Sequence, residues 1–164
     1  MRQLIPLTAL LGALLAAPAP AAAQTENLWS TVNVCDTPKQ ANKMGVRARM
    51  PGNGRRGRMF MRFTAQFRGD DGWGRVEGQG RSEWLAAGRS IFRYRELGFT
   101  FSFGAPPAGR SYLMRGLVEF QWRNRKGRVV ARARRVTEGG HKTRAADPRG
   151  FSAGRCRIET PAGK

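Results

Sequence analysis

The chain has 164 residues, and its 30 lysines and arginines against 11 aspartates and glutamates give a formal charge of +19. That excess bounds the partners rather than the fold. Four Trp, nine Phe and two Tyr within a 40% hydrophobic composition exclude a disordered basic tail, and the length suits one domain with a real core.

The first 23 residues read as a secretory signal peptide. A short basic start, Met1-Arg2-Gln3, precedes an uncharged run from Leu4 to Ala17, and Ala21-Ala22-Ala23 offers a small-residue cleavage site. The run is shorter than the roughly 20 residues needed to span a bilayer. No second long apolar stretch follows, so no transmembrane segment is expected in the mature chain. Cleavage near Ala23 removes only one charged residue, Arg2, and leaves a single domain over 24–164. The expected destination is the exterior or a periplasm-like compartment.

Export makes thiol oxidation the default. With two cysteines, Cys35 and Cys156, only one intramolecular disulfide can form. It would tie the beginning of the domain to its end and close a loop of about 120 residues. These two thiols and one histidine, His141, offer too few ligands for a metal site, and no cofactor is called for.

In chain order the pattern is one of strands. Leu28 to Val34 and Gly45 to Met50 are short candidates. Met59, Met61, Phe63, Ala65 and Phe67 alternate with Phe60, Arg62, Thr64 and Gln66, which predicts a strand with the first set in the core. Gly69-Asp70-Asp71-Gly72 is turn material, where the aspartates need no catalytic or calcium role. Val76 to Gly78 and Ile91 to Arg95 are further short candidates. Leu97, Phe99, Phe101 and Phe103 alternate with small or polar residues, and Ala105-Pro106-Pro107-Ala108-Gly109 ends that strand. A last candidate covers Phe151 to Ile158.

A hairpin lies between these. Tyr112, Met114, Gly116, Val118, Phe120 and Trp122 share one face, Asn124-Arg125-Lys126-Gly127 turns the chain, and Val129, Ala131 and Ala133 continue the face. A loop centred on Arg125-Lys126 places Phe120 opposite Ala131 and Glu119 opposite Arg132, with an ion pair between the latter two on the outer face.

An early Cys, aromatic alternating runs, the stretch from Tyr112 to Trp122, a turn with Gly127 and a basic return strand together resemble the immunoglobulin-like and fibronectin type III-like sandwiches of bacterial secreted proteins, over about residues 28–159. The resemblance implies an all-β, antiparallel β-sandwich of about seven strands. One departure is clear: Cys35 and Cys156 sit at the ends, not on two mid-domain strands around a core Trp. That architecture hosts adhesion, recognition and spacer roles alike.

Chemistry-bearing motifs are sparse. Gly72-Trp73-Gly74 and Gly78-Gln79-Gly80 lack the spacing of a phosphate loop. His141 lies three residues from Glu138, a pairing that a basic exported ribonuclease or other small hydrolase of the barnase type would use, with Glu138 or Glu119 as its carboxylate. A solvated loop histidine explains the same residues without catalysis.

Charge is the more informative feature. Arg123, Arg125, Lys126, Arg128, Arg132, Arg134 and Arg135 follow one another without an acid between them, and Arg55, Arg56 and Arg58 form a second group. With Arg115, the outward members of the first group would make a cationic strip. Such a strip engages polyanions by counterion release. The expected function is therefore a non-catalytic recognition module for an anionic polymer, an anionic surface or an acidic protein, with nucleic acid a candidate but without specificity. An arginine-rich composition, or a cationic edge that keeps sheets from pairing, would give the same pattern with no ligand.

Overall fold

A computed structural model of the chain describes residues 27–160. The signal-peptide expectation for residues 1–23 lies outside these residues. Among the described residues nine strands and no helix give an all-β fold: β1 Trp29–Thr37, β2 Gln40–Pro51, β3 Gly57–Gly69, β4 Gly72–Arg75, β5 Leu85–Arg89, β6 Tyr94–Ser102, β7 Ser111–Asn124, β8 Val129–Val136 and β9 Cys156–Glu159. They form two antiparallel sheets. The smaller has the order β1-β2-β6, and the larger runs β4-β3-β7-β8, with β5 added to β3 and β9 added to β7. Among the described residues no helix is long and apolar enough to cross a membrane.

Alternation decides which faces meet. Val32, Met44, Val46, Ala48, Met50 and Phe101 of the smaller sheet pack against Met59, Met61, Phe63, Ala65, Met114, Val118, Phe120 and Trp122 of the larger one. Every methionine after Met1 is in this core. Their flexible thioethers fill the irregular gaps between two sheets of unequal width. The Trp122 indole keeps its N–H satisfied by donating to the Pro51 carbonyl at 2.9 Å. Gly116 is required by close packing, since a Cβ there would stand 2.8 Å from both Val46 and Thr137.

β1 is buried on both sides because the segment after β8 lies over it. The Val32 and Ala153 backbones exchange two hydrogen bonds, and the Thr31 and Ser152 hydroxyls are 2.7 Å apart. Cys35 in β1 and Cys156 in β9 form the expected disulfide, with Cα atoms 5.3 Å apart, and it joins the smaller sheet to the larger.

Several expectations are corrected. Val76 to Gly78 is turn and coil, Ile91 to Arg93 is a turn leading into β6, and of the last candidate only Cys156 to Ile158 lies in a strand, β9. Phe67 and Tyr112, placed in the core by parity, are 42% and 36% exposed, and both line an open cleft with Val76, Phe103 and Met114.

The hairpin register is also different, by two residues. Glu119 faces Arg134, Phe120 faces Ala133, and Arg132 faces Gln121. The turn supplies half of the slip: Gly127, at φ 78°, adds a bulge, with its N–H on the Asn124 carbonyl and the Asn124 N–H on the Arg128 carbonyl. Val130 supplies the other half. It is left without a partner between the pairs Arg123–Val129 and Trp122–Ala131. Two single-residue shifts restore the parity, so Arg132 and Arg134 still point to solvent.

Candidate cationic surface

The strands of the larger sheet carry eleven of the 25 arginines. Its six strands carry only two acids, Glu119 and Glu159. Glu119 is saturated. Its Oε1 accepts from Arg62 at 2.9 Å and its Oε2 from Arg62 at 3.0 Å and Arg81 at 2.6 Å. Burial pushes its pKa up, but the bonds to Arg62 and Arg81 outweigh this and hold the carboxyl below its ordinary range. The expected Glu119–Arg132 pair is therefore replaced by a link to the neighbouring strand on the other side.

Aromatic rings hold the guanidiniums in place. Arg62 lies 4.3 Å from the Trp84 ring centroid, and Arg123 lies 4.1 Å from that of Phe60 and 5.7 Å from that of Trp84. Towards the other end of the sheet, Trp73 is surrounded by Arg115 at 4.3 Å, Arg155 at 5.8 Å and Arg68 at 6.0 Å. Desolvation, and then the charges of Arg155 and Arg68, lower the pKa of Arg115. Stacking satisfies one face of each guanidinium, while the N–H edges of Arg62, Arg115 and Arg123 are partly engaged by Glu119, Gln66 and Gln121, which fixes their orientation.

The residues expected to bind are distributed over this face rather than gathered in one strip. Arg132 and Arg134 border a shallow cleft with Arg62, Trp84 and Gln121. Arg125, Lys126 and Arg128 are exposed in the hairpin turn. Arg123 is drawn towards β5 and the Arg56 loop, where Arg56, Arg58, Arg89 and Arg125 line a second cleft. Arg135 is engaged elsewhere: it donates to the carbonyls of Leu28 and Arg134. Arg89, Arg62 and Arg81 carry no signal in the sequence, since isolated arginines acquire meaning only from the strands beside them.

His141 and Glu138 do meet, with Nε2 3.2 Å from Oε1. The imidazole stacks on Trp29, with centroids 4.2 Å apart and planes 6° apart, and Arg47 and Arg49 lie over the same indole. Both arginines bond Glu96. Glu119 stands on the larger sheet and is engaged by Arg62 and Arg81, away from this stack. Among the described residues no three His, Cys, Asp or Glu side chains come together as a metal-ligand set. No protein-family model matches the chain, and no curated protein matches it.

Proposed function

We propose that this is a secreted, non-catalytic recognition module of immunoglobulin-like, fibronectin type III-like build that presents the outer face of its larger sheet to anionic ligands. The partition of strands supports the build. With β4 and β5 taken as additions beside β3, seven strands remain, and they separate as β1, β2 and β6 against β3, β7, β8 and β9, the three-and-four division of a seven-stranded sandwich. The disulfide supports an oxidising compartment.

One observation carries the functional reading: a sheet face with stacked arginines in which the one central acid, Glu119, is already neutralised by Arg62 and Arg81. Preordered guanidiniums lose less entropy on binding than free ones. The ligand is an anionic polymer or surface, or an acidic protein.

The test is a titration of the oxidised domain against dextran sulfate, polygalacturonate and single-stranded DNA from about 50 to 200 mM salt. At least one should still bind at the upper end, and Arg132→Gln with Arg134→Gln should weaken it. If all three release together at low salt, the charge is a solvated surface and the reading is wrong.

A further inference from the structure

Arg58 on β3 lies directly opposite Arg89 on β5 and directly opposite Arg123 on β7. Three adjacent strands thus place three arginines in one cross-strand row. Like charges so arranged destabilise a sheet. A few residues along, the same sheet resolves the same problem with an acid, because Arg62 and Arg134 flank Glu119. The Arg58 row has no such partner: among the described residues none of its members is in an ion pair.

Two loops add to the row instead of relieving it. Arg56 and Arg125 complete the lining of a cleft of about 630 Å³ that includes Phe60 and no carboxylate. The arrangement is built rather than loose. The Ser90 hydroxyl donates to the Arg55 carbonyl at 2.7 Å, the Ser90 N–H donates to the Gly57 carbonyl at 3.1 Å, and the Gly54 N–H donates to the Ser90 carbonyl at 3.1 Å. Gly57 lets this loop lie against β7, since a Cβ there would be 2.2 Å from the Arg123 carbonyl oxygen. Arg123 is held flat by Phe60 and by its Nε–H bond to the Gln121 side-chain oxygen at 3.0 Å.

We infer that this cleft is a binding site for clustered phosphate groups, with Arg58, Arg89 and Arg123 as its floor and Arg56 and Arg125 as its rim. The inference rests on the reading of the sheet face as a recognition surface and assigns a ligand chemistry to one end of it. A planar carboxylate is served by one guanidinium fork. Guanidiniums converging from three strands and two loops match a tetrahedral group with acceptor oxygens in several directions. Phosphate brings three acceptors and about −1.5 to −2 charge per group near neutral pH, so neighbouring phosphates would neutralise the row.

Calorimetric titration of the oxidised protein with tripolyphosphate, and with citrate as the carboxylate comparator, tests this at about 150 mM salt. The expected result is saturable binding of tripolyphosphate, clearly tighter than citrate. Arg58→Gln and Arg89→Gln should each weaken it about tenfold or more. Both variants should keep or raise the thermal midpoint without ligand, because each removes a repulsion, so the lost affinity is not lost fold. Vesicles with and without phosphatidic acid separate the sources: binding that needs Arg89 assigns the phosphates to a lipid headgroup, whereas tripolyphosphate binding without vesicle binding assigns them to a soluble ligand. Equal affinity for citrate, or unchanged tripolyphosphate affinity in both variants, overturns the inference. Polymer binding that persists at this salt and depends on Arg132 and Arg134, with no tripolyphosphate binding, defeats the inference alone. Loss of every polymer at low salt defeats the broader reading instead.

Discussion

Glu119 faces Arg134 across the β7–β8 hairpin, yet its carboxylate bonds Arg62 on β3 and Arg81 beyond it. Glu119 is the one acid lining the cleft that Arg132 and Arg134 border, and its ion pairs go to Arg62 and Arg81 rather than to either of them. Replacing Glu119 by Gln leaves Arg62 and Arg81 uncompensated and should cost about 1 kcal/mol, given partial solvent screening. The pH dependence has a definite sign. The pKa of Glu119 is depressed below its ordinary 4.5, so its contribution is full above that value and is lost as pH falls through the lower, folded value. Urea midpoints of the wild type and Glu119→Gln should therefore differ at neutral pH and converge in acid. A gap that stays constant down the acid limb would contradict the assignment.

The disulfide closes a separation of 121 residues and ties one sheet to the other. In the chain-entropy account such a loop is worth roughly 4–5 kcal/mol. Reduction, or Cys35→Ala with Cys156→Ala, should lower the thermal midpoint by roughly 10–20 °C. Calorimetry with and without reductant checks it. An unchanged midpoint would mean that hydrogen bonds such as the Val32–Ala153 pair hold β1 in place unaided.

Alternation was enough to read β3, β6 and β7, because each pairs a buried row with a polar one. β5 was illegible for the opposite reason: Leu85-Ala86-Ala87-Gly88-Arg89 has too little contrast between its faces. With it went Arg89, which extends the Arg58–Arg123 pair into a row of three along the cleft. The hairpin shows a different limit. Parity follows from side-chain pattern, but absolute register depends on bulges at Gly127 and Val130, and a pair of such shifts leaves the pattern unchanged. Stacking of Arg123 on Phe60 and of Arg62 on Trp84 joins residues distant in sequence, so only the sheet order reveals it.

The turn that sets this register depends on one backbone conformation. Gly127 has φ 78°, and a Cβ there would meet nothing within 4 Å, so any cost of substitution is conformational. Gly127→Val should destabilise by about 1–2 kcal/mol, whereas Gly127→Asn, which tolerates the left-handed region, should cost much less. Urea unfolding of the two variants makes the comparison. Equal losses would contradict a conformational origin of the cost.

His141 offers the sharpest separation of a binding module from a hydrolase. Its ring lies flat on Trp29 and its Nε2 meets Glu138, so the histidine has a packing role that needs no substrate. Removing it as His141→Ala should cost about 0.5–1.5 kcal/mol, the usual worth of an aromatic pair. Polymer affinity on the larger sheet should not change, since Arg132, Arg134 and Arg62 border a cleft that His141 does not reach. A hydrolase using His141 as general base would behave differently: its turnover would fall by orders of magnitude while its binding stayed intact. Incubating the wild type and His141→Ala with labelled RNA, beside a thermal melt of each, gives both readouts. The expected outcome is a small drop in midpoint with no RNA cleavage in either protein, and cleavage by the wild type that vanishes in the variant would move the chain into the enzyme class.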